Sequence, residues 1–312
     1  MENISRRHVL RLLGASGAGV ATASALPAHS LPPSSASGSL RRGTRRTGIK
    51  GVMAAGVPLI GMSAPADVWD ARVAAVGRGL GARRIFADLA SGATSQLRLV
   101  EQAHAAGQLP VISYKVGNVD DAIAGDYDAV ASAAAAKLAS YGKPTAVAFW
   151  HEPHGDMTPA QYVAASKRIL PFFQRGRLKV GPILNGWLLD RQAGIFAQYA
   201  PDEMFRIWDW FGIDTYESGT MDNPGDTKPA SRIPAAARFV KKRGFDLPLG
   251  VGEYNGYSAT SIADAGDALL ATPNVWFGCL WNSTGDKGWE VTGDRLEAFR
   301  GTLAASRAAA RR

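Results

Sequence analysis

The feature that most constrains the fold of this 312-residue chain is an alternation of short apolar runs and helical segments, repeated eight times after residue 50. Apolar runs of this length, bounded by polar loops, are typical of strands that are buried on both faces. The runs are 59–62, 84–89, 110–115, 146–150, 179–184, 211–215, 249–253 and 276–281. Eight strand–helix units in about 250 residues predict an α/β fold: a (β/α)8 TIM barrel formed as a single domain over residues 51–306.

Signals at the helix ends support this prediction. Thr158 and Gln161 have the spacing of a capping box, which starts a helix. Three glycines lie where helices are expected to stop: Gly107, Gly142 and Gly244. A doubly wound sheet is the main alternative, but residues 61–64 read Gly-Met-Ser-Ala and lack the glycine-rich phosphate loop of such folds. Eight units therefore favour a closed barrel.

The net charge of +8 comes from the two ends of the chain. Residues 1–50 and the C-terminal residues 307–312 carry more positive charge than the chain as a whole, so residues 51–306 are close to neutral. A nucleic-acid-binding domain normally has a basic face. We therefore expect no nucleic acid among the partners of this protein.

The N-terminal segment predicts export. Arg6 and Arg7 precede a weakly apolar stretch, 12–26, that resembles a twin-arginine export signal. This stretch is short and rich in Gly, Ala and Ser, so no permanent membrane span is expected. We expect residues 1–28 to be the signal, 29–50 a disordered basic linker and 307–312 a basic tail of a secreted or extracytoplasmic protein.

Candidate functional residues follow from the barrel, because active sites of such barrels lie at the C-terminal ends of the strands. The residues at these ends include two carboxylates, indoles and side-chain amides. Carboxyl groups transfer protons or attack, flat aromatic faces stack on pyranose rings, and amides bind hydroxyl groups. The set predicts a sugar-cleaving site. In chain order the candidates are His151, Glu152, Asn185, Trp187, Asp214, Tyr216, Glu253 and Trp281.

These residues resemble the retaining glycoside hydrolases of clan A, and within that clan glycoside hydrolase family 26. The similar features are His151 directly before Glu152, the segment Trp-Asp-Trp-Phe-Gly-Ile-Asp-Thr-Tyr at 208–216, and Leu-Pro-Leu-Gly-Val-Gly-Glu-Tyr at 247–254. Trp281 matches the clan's tryptophan after the last strand. The resemblance spans residues 51–305 and is specific in these blocks.

The resemblance implies a retaining hydrolase of β-linked polysaccharide, of which β-mannan or a related β-glycan is the expected substrate, with endo action and no cofactor. It implies Glu253 as the nucleophile and Glu152 as the acid/base. Tyr216 would donate a hydrogen bond to Glu253, and His151 would orient a sugar hydroxyl or the nucleophile. Trp281 would form the floor under the reacting sugar.

Three other candidates stay open between substrate contact and a structural role: Asn185, Trp187 and Asp214. His151 and His154 could suggest a metal pair, but Pro153 between them disfavours a shared helical face and no third ligand is spaced nearby. We therefore expect no metal. Cys279 is the single cysteine, so the chain forms no intrachain disulfide, and we expect a monomer.

Two alternatives remain. The family's mannanases usually carry further tryptophans shortly after the acid/base Glu, whereas here residues 153–157 lead directly into the next helix. A short loop could leave the site shallow, as in a carbohydrate-binding or cell-wall-associated protein with negligible catalysis on the same barrel. The other alternative is a β-1,3- or mixed-linkage glucanase or a xylanase.

Overall fold

Parallel strands form one sheet in the computed structural model of the protein, which describes residues 56–91, 94–283 and 288–311. The predicted signal, residues 1–28, and the predicted linker, residues 29–50, lie outside the described residues. In the described ranges the strands are β1 (Leu59–Ser63), β2 (Ala82–Asp88), β3 (Leu109–Lys115), β4 (Thr145–Phe149), β5 (Leu178–Val180), β6 (Leu184–Asn185), β7 (Phe211–Tyr216), β8 (Leu249–Asn255) and β9 (Val275–Trp281).

Helices follow the strands along the chain, and the helix start and three helix stops that the sequence predicts are present. The Thr158 side chain accepts the Gln161 N–H at 3.2 Å, and Gln161 Oε1 accepts the Thr158 N–H at 3.1 Å, which confirms the capping box. Gly107, Gly142 and Gly244 have φ values of 71°, 63° and 77° just after helices end, as expected of stop residues. The helices are α1 (Trp69–Val76), α2 (Thr94–Ala105), α3 (Val119–Ala124), α4 (Asp128–Ser140), α5 (Pro159–Ile169), a 3-10 turn (Leu170–Phe173), α6 (Leu188–Arg191), α7 (Ala193–Tyr199), α8 (Asp202–Phe205), α9 (Pro229–Lys242), α10 (Ala259–Ala271) and α11 (Gly293–Ala309).

The sheet closes on itself at the fifth predicted strand. Its strand order is β5-β4-β3-β2-β1-β9-β8-β7-β6, so the two edges are consecutive pieces of one chain segment. Pro182, which has no N–H to donate, lies in the interruption between the two pieces. Around it, Val180 O accepts the Asp209 N–H at 2.7 Å, and His151 pairs with Ile183. The predicted (β/α)8 barrel is therefore confirmed, with its fifth strand split into β5 and β6.

Aromatic side chains fill the inside of the barrel near the ends where the strands begin. The Trp210 ring lies 6.2 Å from that of Trp276 and 5.2 Å from that of Phe277, and all three are buried. Glycine makes room for this cluster: a Cβ at Gly212 would lie 2.6 Å from Trp210 Cζ3 and 2.7 Å from Pro182 O. We call Trp210, Trp276 and Phe277 the barrel floor.

The last helix runs beyond the predicted boundary at residue 306. Arg307 lies inside α11, and its guanidinium donates to Arg78 O. The expected start of the basic tail therefore falls within a helix. Among the described residues, no helix is long and apolar enough to cross a membrane.

Gly212→Ala tests the packing of the barrel floor. The added methyl group meets both an indole and a backbone carbonyl, so we expect the free energy of unfolding to fall by about 1–3 kcal/mol. Gly194 in α7 is exposed, and its added Cβ would meet nothing within 4 Å. Gly194→Ala should therefore be neutral or stabilising by about 0.5–1 kcal/mol. Urea unfolding measures both variants, and a Gly212→Ala protein as stable as the wild type would contradict this packing.

Candidate active site

Glu253 lies in β8 at the C-terminal end of the barrel, where its carboxylate is held by two partners. The residue is 4% exposed. The Tyr216 hydroxyl donates a hydrogen bond to Glu253 Oε2, as the resemblance implied. On the other side, Arg84 Nε lies 4.0 Å from Glu253 Oε1. A phenol donor and a cation both stabilise the charged form of a carboxylate.

Arg84 is a site residue that the sequence analysis missed. Its side chain is fully buried, its Nη1 donates to Val111 O at 3.5 Å, and its guanidinium carbon lies 4.5 Å from the Phe86 ring centroid. A signal was present in the sequence. An arginine in the middle of a strand that must be buried on both faces needs a partner inside the protein.

Asp214 lies inside the barrel beside Glu253. It is 2% exposed and pairs with Glu253 in the register of β7 and β8. Gly252 makes room for it, because a Cβ there would lie 2.5 Å from Asp214 Oδ1. The same Cβ would lie 2.9 Å from Ile183 Cδ1, and Ile183 O accepts the Glu152 N–H at 2.9 Å. Asp214 therefore lies next to Glu253 and is shielded from solvent.

The segment that carries Glu152 has an unusual backbone. Trp150 and Glu152 have φ values of 57° and 50°, in the left-handed region that L side chains rarely adopt. Such a residue costs about 1–3 kcal/mol and is common at functional sites. In the described part of the chain, Asn274 is the one other non-glycine residue with positive φ. Trp150 N donates to Tyr114 O in β3 at 2.7 Å, and Glu152 N donates to Ile183 O at 2.9 Å, so backbone hydrogen bonds hold both left-handed residues.

His151 contacts Ser113 and Phe86. Its Nδ1 is 2.8 Å from Ser113 Oγ, and its ring packs edge-on against Phe86, with centroids 5.1 Å apart. Phe86 is 37% exposed and also contacts the Trp281 ring edge-on at 5.8 Å. Sequence reasoning missed both Ser113 and Phe86. The aromatic wall of the candidate site therefore includes Phe86 beside the predicted Trp281.

A chain of contacts links Glu253 to the segment that carries Glu152. Glu253 lies beside Arg84, the Arg84 guanidinium lies over Phe86, and Phe86 packs on His151, which precedes Glu152. Glu152 is half-buried. Glu253 and the segment that carries Glu152 therefore lie at the same end of the barrel.

Asn185 and Trp187 support the loop after β4. Asn185 Oδ1 accepts the His154 N–H at 2.9 Å. The Trp187 ring packs edge-on against that of His154, with centroids 5.3 Å apart. Asn185 is buried and Trp187 is half-buried. In this structure both residues hold the chain that follows Glu152. Among the described residues, no three His, Cys, Asp or Glu side chains come together as a metal site.

Trp281 and Trp289 are held by Asn255, two residues after Glu253. Asn255 Nδ2 donates to Trp281 O at 2.6 Å and to Trp289 O at 3.0 Å. The Trp289 ring stacks on Tyr257 at 4.7 Å and lies 5.0 Å from the ring of Tyr216. The aromatic side of the site thus extends from Trp281 to the residue that donates to Glu253. Trp289 was absent from the sequence prediction, although it follows the last strand closely.

The comparisons with known proteins support the fold. The chain matches no family model, and no curated protein matches it. Among solved structures it is similar to GH26C from Muricauda sp. MAR_2010_75, with a TM-score of 0.54, 11% identity and coverage of 80% of this chain and 86% of that one. It is also similar to Thermotoga maritima Cel5A in complex with cellobiose, with a TM-score of 0.53, 12% identity and coverage of 79% of this chain and 98% of that one. The β-mannanase from Streptomyces thermolilacinus with mannohexaose matches with a TM-score of 0.53, 16% identity and coverage of 78% of this chain and 84% of that one.

The single thiol tests whether the region beneath the site is closed. Burial raises the pKa of the Cys279 thiol far above its usual range; Arg84 acts against this rise, and Asp214 and Glu253 add to it. Because the thiolate is the reactive form, we expect no labelling by iodoacetamide at pH 8 in the native protein. One thiol per chain should react after unfolding in urea. Mass spectrometry measures the labelling. Rapid labelling of Cys279 in the native protein would show that the region around this thiol is open to solvent and would contradict the structure.

Proposed function

We propose that the protein is a retaining glycoside hydrolase that cleaves a β-linked polysaccharide, with β-mannan or a related β-glycan as the substrate. The observation that carries the proposal is the Glu253 carboxylate between Tyr216 and Arg84, on the same barrel end as Glu152. Two carboxyl groups at one cleft are the equipment of this reaction. Membership of clan A and of family 26 is part of the proposal, and it rests on the His151–Glu152 pair and on the residues around Glu253.

In the first step, Glu253 attacks the anomeric carbon as the bond to the leaving oxygen breaks. Glu152, in its protonated form, gives its proton to that oxygen. The product of the step is a sugar bound through an ester to Glu253. Tyr216 and Arg84 keep the attacking carboxylate oriented and charged before the reaction, while the walls formed by Phe86 and Trp281 contact the sugar ring.

In the second step, the deprotonated Glu152 takes a proton from water, and the water oxygen attacks the anomeric carbon. The bond to Glu253 breaks, and the carboxylate returns to its charged state. Two inversions at one carbon retain its configuration. Glu152 has to reach both the leaving oxygen and the water, which agrees with its half-buried position beside the solvent.

Export through the twin-arginine pathway is also proposed. It is supported by Arg6 and Arg7 ahead of a weakly apolar segment. Polysaccharides are too large to enter a cell freely, so a hydrolase of such a substrate has its site of action outside the cytoplasm.

Glu253→Ala should abolish hydrolysis while leaving the fold intact, because the variant lacks the attacking group. Azide can then replace the carboxylate, and we expect it to restore turnover and give a glycosyl azide of inverted configuration, read by NMR. Glu203→Ala, which removes an exposed carboxylate that pairs with Lys167, is the control and should keep full activity. An active Glu253→Ala enzyme would remove the nucleophile assignment.

A panel of mannans, glucans and xylans tests the substrate class. The mature protein should release new reducing ends from β-mannan, and proton NMR should detect the β-anomer first because retention forms it directly. Activity on β-1,3- or mixed-linkage glucan or on xylan instead would select the alternative enzyme classes. Binding to these polymers without any released ends would show a carbohydrate-binding protein and would contradict the proposal.

A further inference from the structure

Asp156 lies in the loop between β4 and α5 and joins three parts of the site rim. Its Oδ2 accepts the indole N–H of Trp150 at 2.9 Å and the ammonium of Lys115, the last residue of β3, at 3.0 Å. Lys115 Nζ also lies 5.2 Å from the centroid of the Trp150 ring. We call Asp156, Lys115 and Trp150 the rim clamp.

The rim clamp acts on the strained segment that ends at Glu152. Trp150 and Glu152 both have a left-handed backbone conformation. Non-glycine residues keep this conformation only where several surrounding contacts hold it. The Asp156 carboxylate holds the Trp150 side chain by a charge-assisted hydrogen bond, which is a strong and directional contact. It therefore fixes the residue from which the chain turns toward Glu152.

Asp156 also closes the turn that follows Glu152. Its backbone N–H and that of Met157 each donate to Pro153 O at 3.1 Å. The same residue thus holds the chain on both sides of Glu152, through its side chain at Trp150 and through its backbone at Pro153. A rotation of this short segment would change the direction of the Glu152 carboxyl group.

An ordinary surface ion pair has different surroundings. The Asp202–Arg243 pair, at 2.8 Å, joins α8 to the residue that follows α9, and its aspartate side chain is 64% exposed. Such pairs contribute little to stability. The Asp156 side chain is 34% exposed and that of Lys115 22%, and the clamp includes a buried indole. We propose that Asp156 is a positioning residue that sets the direction of the Glu152 carboxyl group. This role rests on the proposed function, in which Glu152 is the acid/base.

Asp156→Ala and two aryl glycosides test this role. Phenol is a poor leaving group that needs the proton of Glu152, whereas 2,4-dinitrophenolate leaves without it. For the phenyl β-mannobioside we expect kcat/KM to fall by about 10- to 100-fold, mainly in kcat, since small misplacements cost this much. For the 2,4-dinitrophenyl β-mannobioside the change should stay within about threefold, because proton donation contributes little there. The phenyl and 2,4-dinitrophenyl β-cellobiosides repeat the same comparison with glucose in place of mannose.

Two further variants keep the test independent of folding. Trp150→Phe keeps an aromatic ring but loses the indole N–H, so it should show the same leaving-group dependence. Asp156→Asn keeps an oxygen that can accept that N–H, so it should recover part of the loss. Asp202→Ala is the control, removes a comparable charge, and should leave both rates unchanged.

Each outcome decides the matter. Equal losses for both leaving groups in Asp156→Ala and Trp150→Phe would assign the rim clamp a structural role only and overturn the proposal. Unchanged rates for both substrates would overturn it as well. If the wild-type protein cleaves no aryl glycoside and no polysaccharide, the proposed function is wrong, and the role of Asp156 with it. If the wild type is active but the variants show the same leaving-group dependence as the wild type, only the role of Asp156 is wrong.

Discussion

The closure of the barrel at its interrupted fifth strand is the constraint on which the candidate site depends. Without closure, the chain after β4 and the end of β8 would lie far apart, and Glu152 and Glu253 could not belong to one site. Ile183, in the interruption, accepts the Glu152 N–H and lies against the position of Gly252, next to Glu253. The short connection from β5 to β6 therefore holds the two glutamates at one end of the barrel, although they are about a hundred residues apart in sequence.

The second constraint is charge inside the barrel. Glu253 and Asp214 are buried carboxylic acids, and buried charges are costly unless they are paired. Arg84 supplies the compensating charge from β2 without exposure to solvent. Its guanidinium also packs on Phe86, so one side chain links the candidate nucleophile to the aromatic wall. A site built this way has its charged groups in place before a ligand arrives, which favours reactions whose charges appear at fixed positions.

Most of the fold could be predicted because the repeat of apolar runs, the length of each run and the capping signals of the helices are local properties of the sequence. The strand ends then placed Glu152 and Glu253 among few candidates. Other features depend on contacts that no local pattern contains. The arginine in a buried strand signals that Arg84 needs a partner inside the protein, but a strand with two buried faces does not say which residues point inward. The partner of Arg84 could therefore not be predicted, and the burial of Asp214 stayed open. Nothing in the residue type of Trp150 signals a left-handed backbone, since this conformation is held by tertiary contacts such as the hydrogen bond from Trp150 N to Tyr114 O.

The central claim is that Glu253 forms a bond to the sugar during turnover. Its most direct test is to incubate the protein with the 2-deoxy-2-fluoro β-glycosyl fluoride of the sugar that it cleaves, and to sequence the labelled peptide by mass spectrometry. The fluorine slows both steps and the good leaving group restores the first, so the ester accumulates. The account predicts one label per chain, on Glu253. A label on another residue, or continued turnover without any label, would contradict it.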